Sequence, residues 1–281
     1  MSKAMRVLMS DSEDELVGPV SSVEVESAPL FMIDGQLVEG ERVLCLRVSY
    51  DLEGRKLQEL NYDVHGVLTK KNVSSYSQAG ELEEIKTYGP DGSLVFRRVY
   101  EKDVDSNTVA DLVYSGPETS NVRKTIYSFD QSGKLVSQTI LPSNDEPSIR
   151  MLLLYDDQNR IREVCICMSN TTGPVLIPGS GGTSIMLADE SRLKADGPCG
   201  DDLLTSRTMF SRDSDGHLLE VTTYTGEGAL VSREAYAKEY DSSGNWIKQT
   251  LSKWKPESAE FQPTKVSYRK IVYHSTPRQH Q

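Results

Sequence analysis

The sequence predicts an all-β fold: an antiparallel meander of repeated hairpins forming one long twisted or curved sheet, with little helix. Three observations carry that expectation. A short turn motif recurs from Tyr50 to Tyr240. The glycines of successive motifs stand one strand plus one turn apart. Tyrosine outnumbers phenylalanine 13 to 5, and tyrosine suits half-wet sheet surfaces, where the ring packs and the hydroxyl stays hydrated.

The motif is an aromatic residue, Asp or another turn former, two variable residues, Gly or Asn, one more residue, then Leu, Ile or Trp. Its copies are "YDLEGRKL" at Tyr50, "YDVHGVL" at Tyr62, "YSQAGEL" at Tyr76, "YGPDGSL" at Tyr88 and "FDQSGKL" at Phe129. They continue with "YDDQNRI" at Tyr155, "RDSDGHL" at Arg212, "YTGEGAL" at Tyr224 and "YDSSGNW" at Tyr240. Aspartate accepts hydrogen bonds from its own backbone two residues on, as an Asx-turn. Glycine or asparagine takes the positive φ of a tight hairpin. Each copy therefore predicts a turn between two strands. Gly54, Gly66, Gly80 and Gly92 form one run of such turns, and Gly216, Gly228 and Gly244 another, as in a repeat architecture.

Strand periodicity assigns faces. Leu82 and Tyr88 are an even number of residues apart, as are Leu94 and Tyr100, Leu218 and Tyr224, and Leu230 and Tyr236. Strict alternation would put each pair on one face, together with Glu84 and Lys86 or Ser232 and Glu234. Ile85, Val95, Val99, Leu219 and Val221 would take the opposite face. The expectation is a meander partly wet on one face, with tyrosines stacked from strand to strand.

The Tyr-Asp-x-x-Gly-x-Leu copies resemble the YD repeats of the RHS (rearrangement hotspot) and teneurin group. "GNWIKQTLSKW" at Gly244 looks like the closing repeat of small bacterial YD-repeat proteins without a toxin domain. The resemblance covers about Val43 to Lys270. It implies a spiralling β-sheet that encloses cargo in the large members. This chain has fewer repeats than a wide shell needs, and it lacks the autoproteolytic core motif and the toxin domain.

Residues 1–16 read as a mobile acidic leader, 17–274 as a single β-repeat domain and 275–281 as a tail. Before Tyr50, Val20, Val23 and Val25 begin a first strand, "DGQ" at Asp34 is a turn, and "RVLCLRVSY" feeds the first repeat. Two segments break the period. In 101–127, a short helical or strand piece is expected at Thr108 to Tyr114, a turn at Gly116-Pro117, then a strand. The insertion 169–206 is rich in Gly, Pro, Ser and Asp and long for a connection. A helix start or small hairpin is expected at Thr183 to Lys194, and the insertion is expected to fold over one face of the sheet. The N-terminal element and the segment Trp254 to Tyr273 are expected to cap the two ends of an open array.

No catalytic, cofactor-binding or metal-ligating residue is assigned. Cys45, Cys165, Cys167 and Cys199 read as small apolar fillers, since no paired metal-site spacing occurs. "PGSGG" at Pro178 lacks the lysine of a phosphate loop. Asp51, Asp63, Asp130, Asp156 and Asp241 are explained as turn formers. "DSNT" at Asp105 and "DSDG" at Asp213 lack the oxygen series of a calcium loop. His65 and His217 sit beside turn glycines and are expected to face solvent, and His274 and His280 complete the histidines. The sequons at Asn72 and Asn170 matter only in a glycosylating host.

Net charge is −11, which argues against nucleic acid and anionic lipid. No run of eighteen apolar residues occurs, so the chain is expected not to span a membrane. Localisation stays open: cytoplasmic as the chain is written, periplasmic or secreted if a signal peptide has been removed. The functional expectation is a non-catalytic scaffold or binding module with a protein partner. A carbohydrate-binding or carbohydrate-active envelope protein is the alternative, which would need Trp246 and Trp254 clustered with acids.

Overall fold

The computed structural model describes residues 16–103, 107–116, 121–142, 147–169, 175–178, 184–187, 198–200 and 202–275. The leader, the tail beyond 275 and much of the 169–206 insertion lie outside them. The described elements are all strands. They are β1 (Val20–Ile33), β2 (Gln36–Glu39), β3 (Val43–Tyr50), β4 (Lys56–Tyr62), β5 (Leu68–Tyr76), β6 (Leu82–Tyr88), β7 (Leu94–Asp103), β8 (Thr108–Ser115), β9 (Asn121–Phe129) and β10 (Leu135–Pro142). The chain continues with β11 (Ile149–Tyr155), β12 (Ile161–Met168), β13 (Val175–Pro178), β14 (Ser184–Leu187), β15 (Leu203–Arg212), β16 (Leu218–Thr225), β17 (Leu230–Tyr240), β18 (Trp246–Lys255) and β19 (Glu260–Tyr273). The Thr108 segment is therefore a strand, and the insertion carries a small hairpin of its own, β13–β14.

Every neighbouring pair is antiparallel, but the array is not open. β1 pairs with β3 on one side and with β19 on the other, from Val20↔Tyr273 to Pro29↔Lys265. Seventeen strands share the sheet, and β2 only extends the tip of the β1 hairpin, so sixteen close into a barrel. This overturns the open YD-repeat-like sheet and its end caps. The two segments expected as caps are each other's partners. Closure removes both free edges, which an open array would have to shield separately.

The turns form as the motif requires. In the Asp63 turn the carboxylate accepts from the amides of His65 and Val67, both at 2.9 Å. Asp51, Asp130, Asp156, Asp213 and Asp241 make the same pair of bonds to residues two and four further on. Ser77 and Thr225 supply a hydroxyl for the farther amide instead. Turns alternate between two rims. The lower rim holds Asp51, Ser77, Asp130, Asp156, Asp213 and Asp241; the upper rim holds Asp63, Gly89, Thr225 and the β1–β2 hairpin.

Strict alternation fails at each motif turn, and the ladder shows why. Tyr88 opposes Leu94, but Thr87 opposes Phe96, so Val95 is skipped as a bulge. The same slip occurs beside Tyr50, Tyr62, Tyr76, Tyr155, Arg212, Tyr224 and Tyr240. One extra residue reverses parity. Leu82 and Tyr88 therefore face opposite ways, as do Leu94 and Tyr100. Lower-rim motifs put their aromatic and Leu on one face, and upper-rim motifs put theirs on the other.

Which face is inside follows from the stagger. Opposed residues from Val48 through Glu59, Asn72 and Thr87 to Phe96 climb from the lower rim to the upper. With L-residues and the right-handed strand twist, that drift turns the Val48 face inward. Burial agrees: Val23, Val48, Val109, Asp111, Val113, Thr125 and Tyr127 on this face are all buried. So are the lower-rim motif residues Leu82, Leu135, Leu218 and Trp246, whereas upper-rim Leu230 is exposed. A strip of Val109, Tyr127, Leu135 and Leu153, with Tyr100, Phe129, Tyr155, Ile161 and Val164 against it, forms the apolar core along this wall.

On the lower rim the described aromatic contacts run from tyrosine to a polar neighbour. Four lower-rim aromatics, Tyr76, Tyr155, Tyr240 and Tyr273, each meet the residue that follows the glycine of an earlier turn on that rim. Arg55 lies 5.2 Å from the Tyr76 ring, Lys134 4.6 Å from Tyr155, and His217 stacks 4.3 Å from Tyr240. Asn245 donates to Tyr273 Oη at 2.8 Å and to Val17 O, tying the N-terminal entry to the last strand. Tyr76 Oη donates to Lys56 O at 2.8 Å, and burial pushes its pKa up to about 12. His274 carries the seam on, with Nε2 3.1 Å from Asp51 O.

Two glycines in one turn should differ sharply. Gly228 has φ +89° and open space around a Cβ, so Gly228→Ala should cost about 1–2 kcal/mol of backbone strain. A Cβ on Gly226 would stand 1.8 Å from Leu204 O, so Gly226→Ala should cost about 3 kcal/mol or more. Chemical denaturation of both variants measures the difference, and equal losses would refute this packing. Acid should also weaken the rims. Asp63 and Asp156 are held below the usual aspartate value chiefly by backbone amides, Asp130 by the Ser132 hydroxyl and Asp241 by the Tyr273 hydroxyl. A depressed folded value means that this stability is whole above the unfolded pKa, near 3.8, and is lost as pH falls below it. Melting temperatures should drop steeply below pH 4, and less so for Asp63→Asn combined with Asp156→Asn.

Candidate functional site

The inner wall is the place where polar groups gather against expectation for a buried surface. On β4, β5 and β6 they form one network. Lys56 Nζ donates to Glu59 Oε2 at 2.7 Å; Asn61 and Asn72 both donate to Glu59 Oε1 at 3.1 Å; Thr87 Oγ1 donates to Asn72 Oδ1 at 2.8 Å. Burial pushes the Glu59 carboxyl up, but Lys56 and the two amides outweigh it and hold the group below its ordinary value. On β7, β8 and β9 the wall carries a buried ion pair. Arg98 meets the fully buried Asp111 through Nε at 3.1 Å and Nη2 at 2.5 Å, and its Nη2 lies 3.4 Å from Tyr127 Oη. Burial holds the Tyr100 and Tyr127 hydroxyls above the usual tyrosine value, so both stay protonated.

Beyond this polar arc the same wall turns apolar. Ile140, Ile149, Met151, Leu153, Val164 and Ile166 oppose one another across β10, β11 and β12. Sixteen strands at about 4.8 Å spacing enclose an interior roughly 25 Å across or more, whereas about eight strands suffice for side chains to fill a barrel. The inner wall therefore presents a polar arc and an apolar arc to one shared interior.

The outer wall has a different chemistry. Ion pairs run around it: Arg47–Glu24 at 2.9 Å, Lys86–Glu84 at 3.1 Å, Arg233–Glu220 at 2.6 Å and Lys248–Glu239 at 2.7 Å. Arg207 pairs with Glu163 there as well. Around β11, β12 and β15 the end of the insertion packs on this outer face. Cys167 and Cys199 form a disulfide, and Cys165 is buried beside it. The reading of the cysteines as mere fillers fails for Cys167 and Cys199. A 32-residue separation across an irregular segment leaves no spacing to read.

Other sequence candidates fall where folding explains them. Asp213, Asp215 and His217 bring their ligating atoms within 4.8 Å of one another. However, Asp213 Oδ1 accepts from two turn amides, and its Oδ2 lies 3.1 Å from His217 Nδ1. His217 packs against Tyr240 with 40% of its side chain exposed, and His65 is exposed. Asn72 of the first sequon points into the inner network. Trp246 lies buried on the inner wall under Arg269, at 3.7 Å, whereas Trp254 meets Phe261 edge-on outside. The two tryptophans face opposite ways because a bulge between Trp246 and Lys248 reverses parity. Residues 104–106, the glycines of "PGSGG", Asn170 and His280 lie outside the described residues.

No protein-family model matches this chain, for YD repeats or otherwise, and no curated protein matches it. Among solved structures, a porin-like protein from Bacteroides uniformis aligns at TM-score 0.47 and 11% identity, over 92% of this chain and 98% of that one. A porin-like protein from Bacteroides vulgatus aligns at 0.34 and 8%, over 93% and 100%. TcdB2-TccC3 aligns at 0.31 and 15%, over 90% of this chain and 15% of its own. No helix among the described residues is long and apolar enough to cross a membrane.

Asp111→Ala should leave the Arg98 charge on the inner wall without its partner. Breaking a buried pair costs about 3–5 kcal/mol, and the low end applies because Arg98 keeps 31% of its side-chain exposure. The double change Arg98→Met with Asp111→Leu should recover most of that loss in urea denaturation. A double variant as unstable as the single would show that the pair is not the unit.

Proposed function

We propose that this chain is a non-catalytic binding barrel that carries an amphipathic small molecule against its inner wall while its outer wall stays in water. One observation carries the reading: a polar arc, Glu59–Asn72–Arg98–Asp111, and an apolar arc, Ile140–Met151–Ile166, line one interior. A ligand with a hydrocarbon part and a polar end would satisfy both arcs together. A water-filled interior suits a purely polar solute, and a sealed core suits none.

The outer wall supports the same reading. A membrane-spanning barrel turns an apolar band outward, and a Lys or Arg at its midplane costs about 2–4 kcal/mol. Here the outward residues of β1, β3, β6, β12, β15, β16, β17 and β18 include paired charges. Two ionisable pairs stand inside, Glu59 with Lys56 and Asp111 with Arg98. That leaves them to hold the wall and position a ligand rather than to turn one over. Carbohydrate is the weaker alternative, because Trp246 and Trp254 stand on opposite faces and make no shared stacking platform. A protein partner is favoured by one feature, the β1–β2 hairpin at the upper rim, where Phe31, Met32, Ile33, Leu37 and Val38 are exposed.

The test is displacement of a fluorescent fatty acid from the full chain. The reading expects saturable binding, competition by single-chain amphiphiles but not by oligosaccharides, and at least a tenfold weaker affinity for Met151→Asp. Exchanging the exposed Phe31 and Ile33 for Ser should leave that affinity unchanged. Equal binding by wild type and Met151→Asp, or none by wild type, would reject the interior site.

A further inference from the structure

We propose that the Cys167–Cys199 disulfide is a redox-sensitive clasp that holds a turn of the insertion on the outer wall, and that its reduction uncovers Cys165 as a modifiable thiol. Cys167 stands at the upper end of β12, and Cys199 lies in the turn at 198–200, with their Cα atoms 5.7 Å apart. Cys165, two residues back on the same outward face, belongs to the same buried cluster, with Leu152, Leu154 and Leu204 packed around it. It shares that cluster with Cys199 of the clasped turn, and it donates to Glu163, which pairs with Arg207.

The covalent bond is the principal hold on that turn. Its described polar contacts are Asp202 N donating to Cys199 O at 3.3 Å, Arg150 Nη2 donating to Cys199 O at 2.7 Å and an Arg150–Asp202 pair at 2.8 Å. Both side chains of that pair are substantially exposed, and such pairs contribute about 0–1 kcal/mol. Cys165 does not pair with Cys167. The two are next-but-one neighbours on one strand with parallel side chains, so their Cβ atoms stand about 6.6 Å apart, beyond the roughly 3.5–4.5 Å a disulfide spans. Cys165 donates instead to Glu163 Oε1 at 3.2 Å, and burial, with Glu163 beside it, pushes its pKa up to about 12.

The chemistry needs a dithiol reductant. One of its thiolates attacks the Cys167–Cys199 bond, its second thiol resolves the mixed disulfide, and two electrons and two protons pass to the protein. The products are two cysteine thiols and the oxidised reductant. β12 keeps its ladders to β11 and β15, so the wall survives while the turn departs. A clasp of this kind persists in an oxidising compartment and opens in a reducing one.

Iodoacetamide labelling of the native full chain, read by peptide mass spectrometry, tests this. Without reductant, Cys45 should be the cysteine that labels. With excess dithiothreitol, Cys167, Cys199 and Cys165 should all label while the far-ultraviolet circular dichroism stays unchanged. Cys199→Ser should expose Cys165 and Cys167 with no reductant added. The proposal is overturned if Cys167 and Cys199 label before reduction. It is equally overturned if Cys165 stays protected after they are freed, or if reduction labels Cys165 only with loss of the strand signal.

Discussion

The pairing of β1 with β19 is the interaction on which everything else depends. It joins residues at opposite ends of the chain, Val23 to Ile271 and Ser27 to Ser267. Without it, the meander would be an open sheet with two long edges and two solvated faces. With it, one face becomes an interior, and each strand residue acquires an inside or an outside. The polar network at Glu59, the Arg98–Asp111 pair and the apolar strip at Met151 mean something only because the wall curves around them. The seam is reinforced where the chain ends meet: Asn245 bonds Val17 and Tyr273, and His274 bonds Pro19 O and Asp51 O.

A second constraint shapes how the repeats share the work. Each motif turn adds one bulged residue to the strand that follows it. Bulges raise local twist and re-aim side chains, which helps a sheet to curve. Because each slip reverses parity, lower-rim motifs point their aromatic and Leu inward and upper-rim motifs point theirs outward. Identical short sequences thus do two jobs. Inward copies close the lower rim with buried Leu82, Leu135, Leu218 and Trp246, and outward copies such as Tyr224 and Leu230 decorate a wetter surface. A rim ladder of Arg55, Lys134, His217 and Asn245, each reaching the next aromatic, ties turn to turn.

The turns were legible in the sequence because their cause is local. An Asp Oδ1 bonding amides two and four residues on, followed by a glycine at positive φ, lies within one heptapeptide. The all-β class and the antiparallel meander follow from repeating it. Closure was illegible because its cause is not local: nothing in "VSSVEVESAP" marks it as the partner of "KVSYRKIVY" rather than as a cap. Faces were misassigned by a single residue, since strict alternation counts Val95 and the ladder does not. The inner pair Arg98–Asp111 was hidden for the same reason; its members look like any surface charges until the register brings them together. The disulfide was hidden because Cys167 and Cys199 are separated by an irregular segment that carries no period. The resemblance to YD repeats rested on the turn alone, and the turn does not decide whether a sheet stays open.

The most direct measurement concerns the seam. Ser27 and Ser267 oppose each other on the inner face, with their hydroxyl oxygens 2.8 Å apart. In a Cys45→Ala background, Ser27→Cys with Ser267→Cys should oxidise to an intramolecular disulfide in dilute solution and raise the melting temperature. A cross-link that formed only between molecules, or not at all, would contradict a closed barrel.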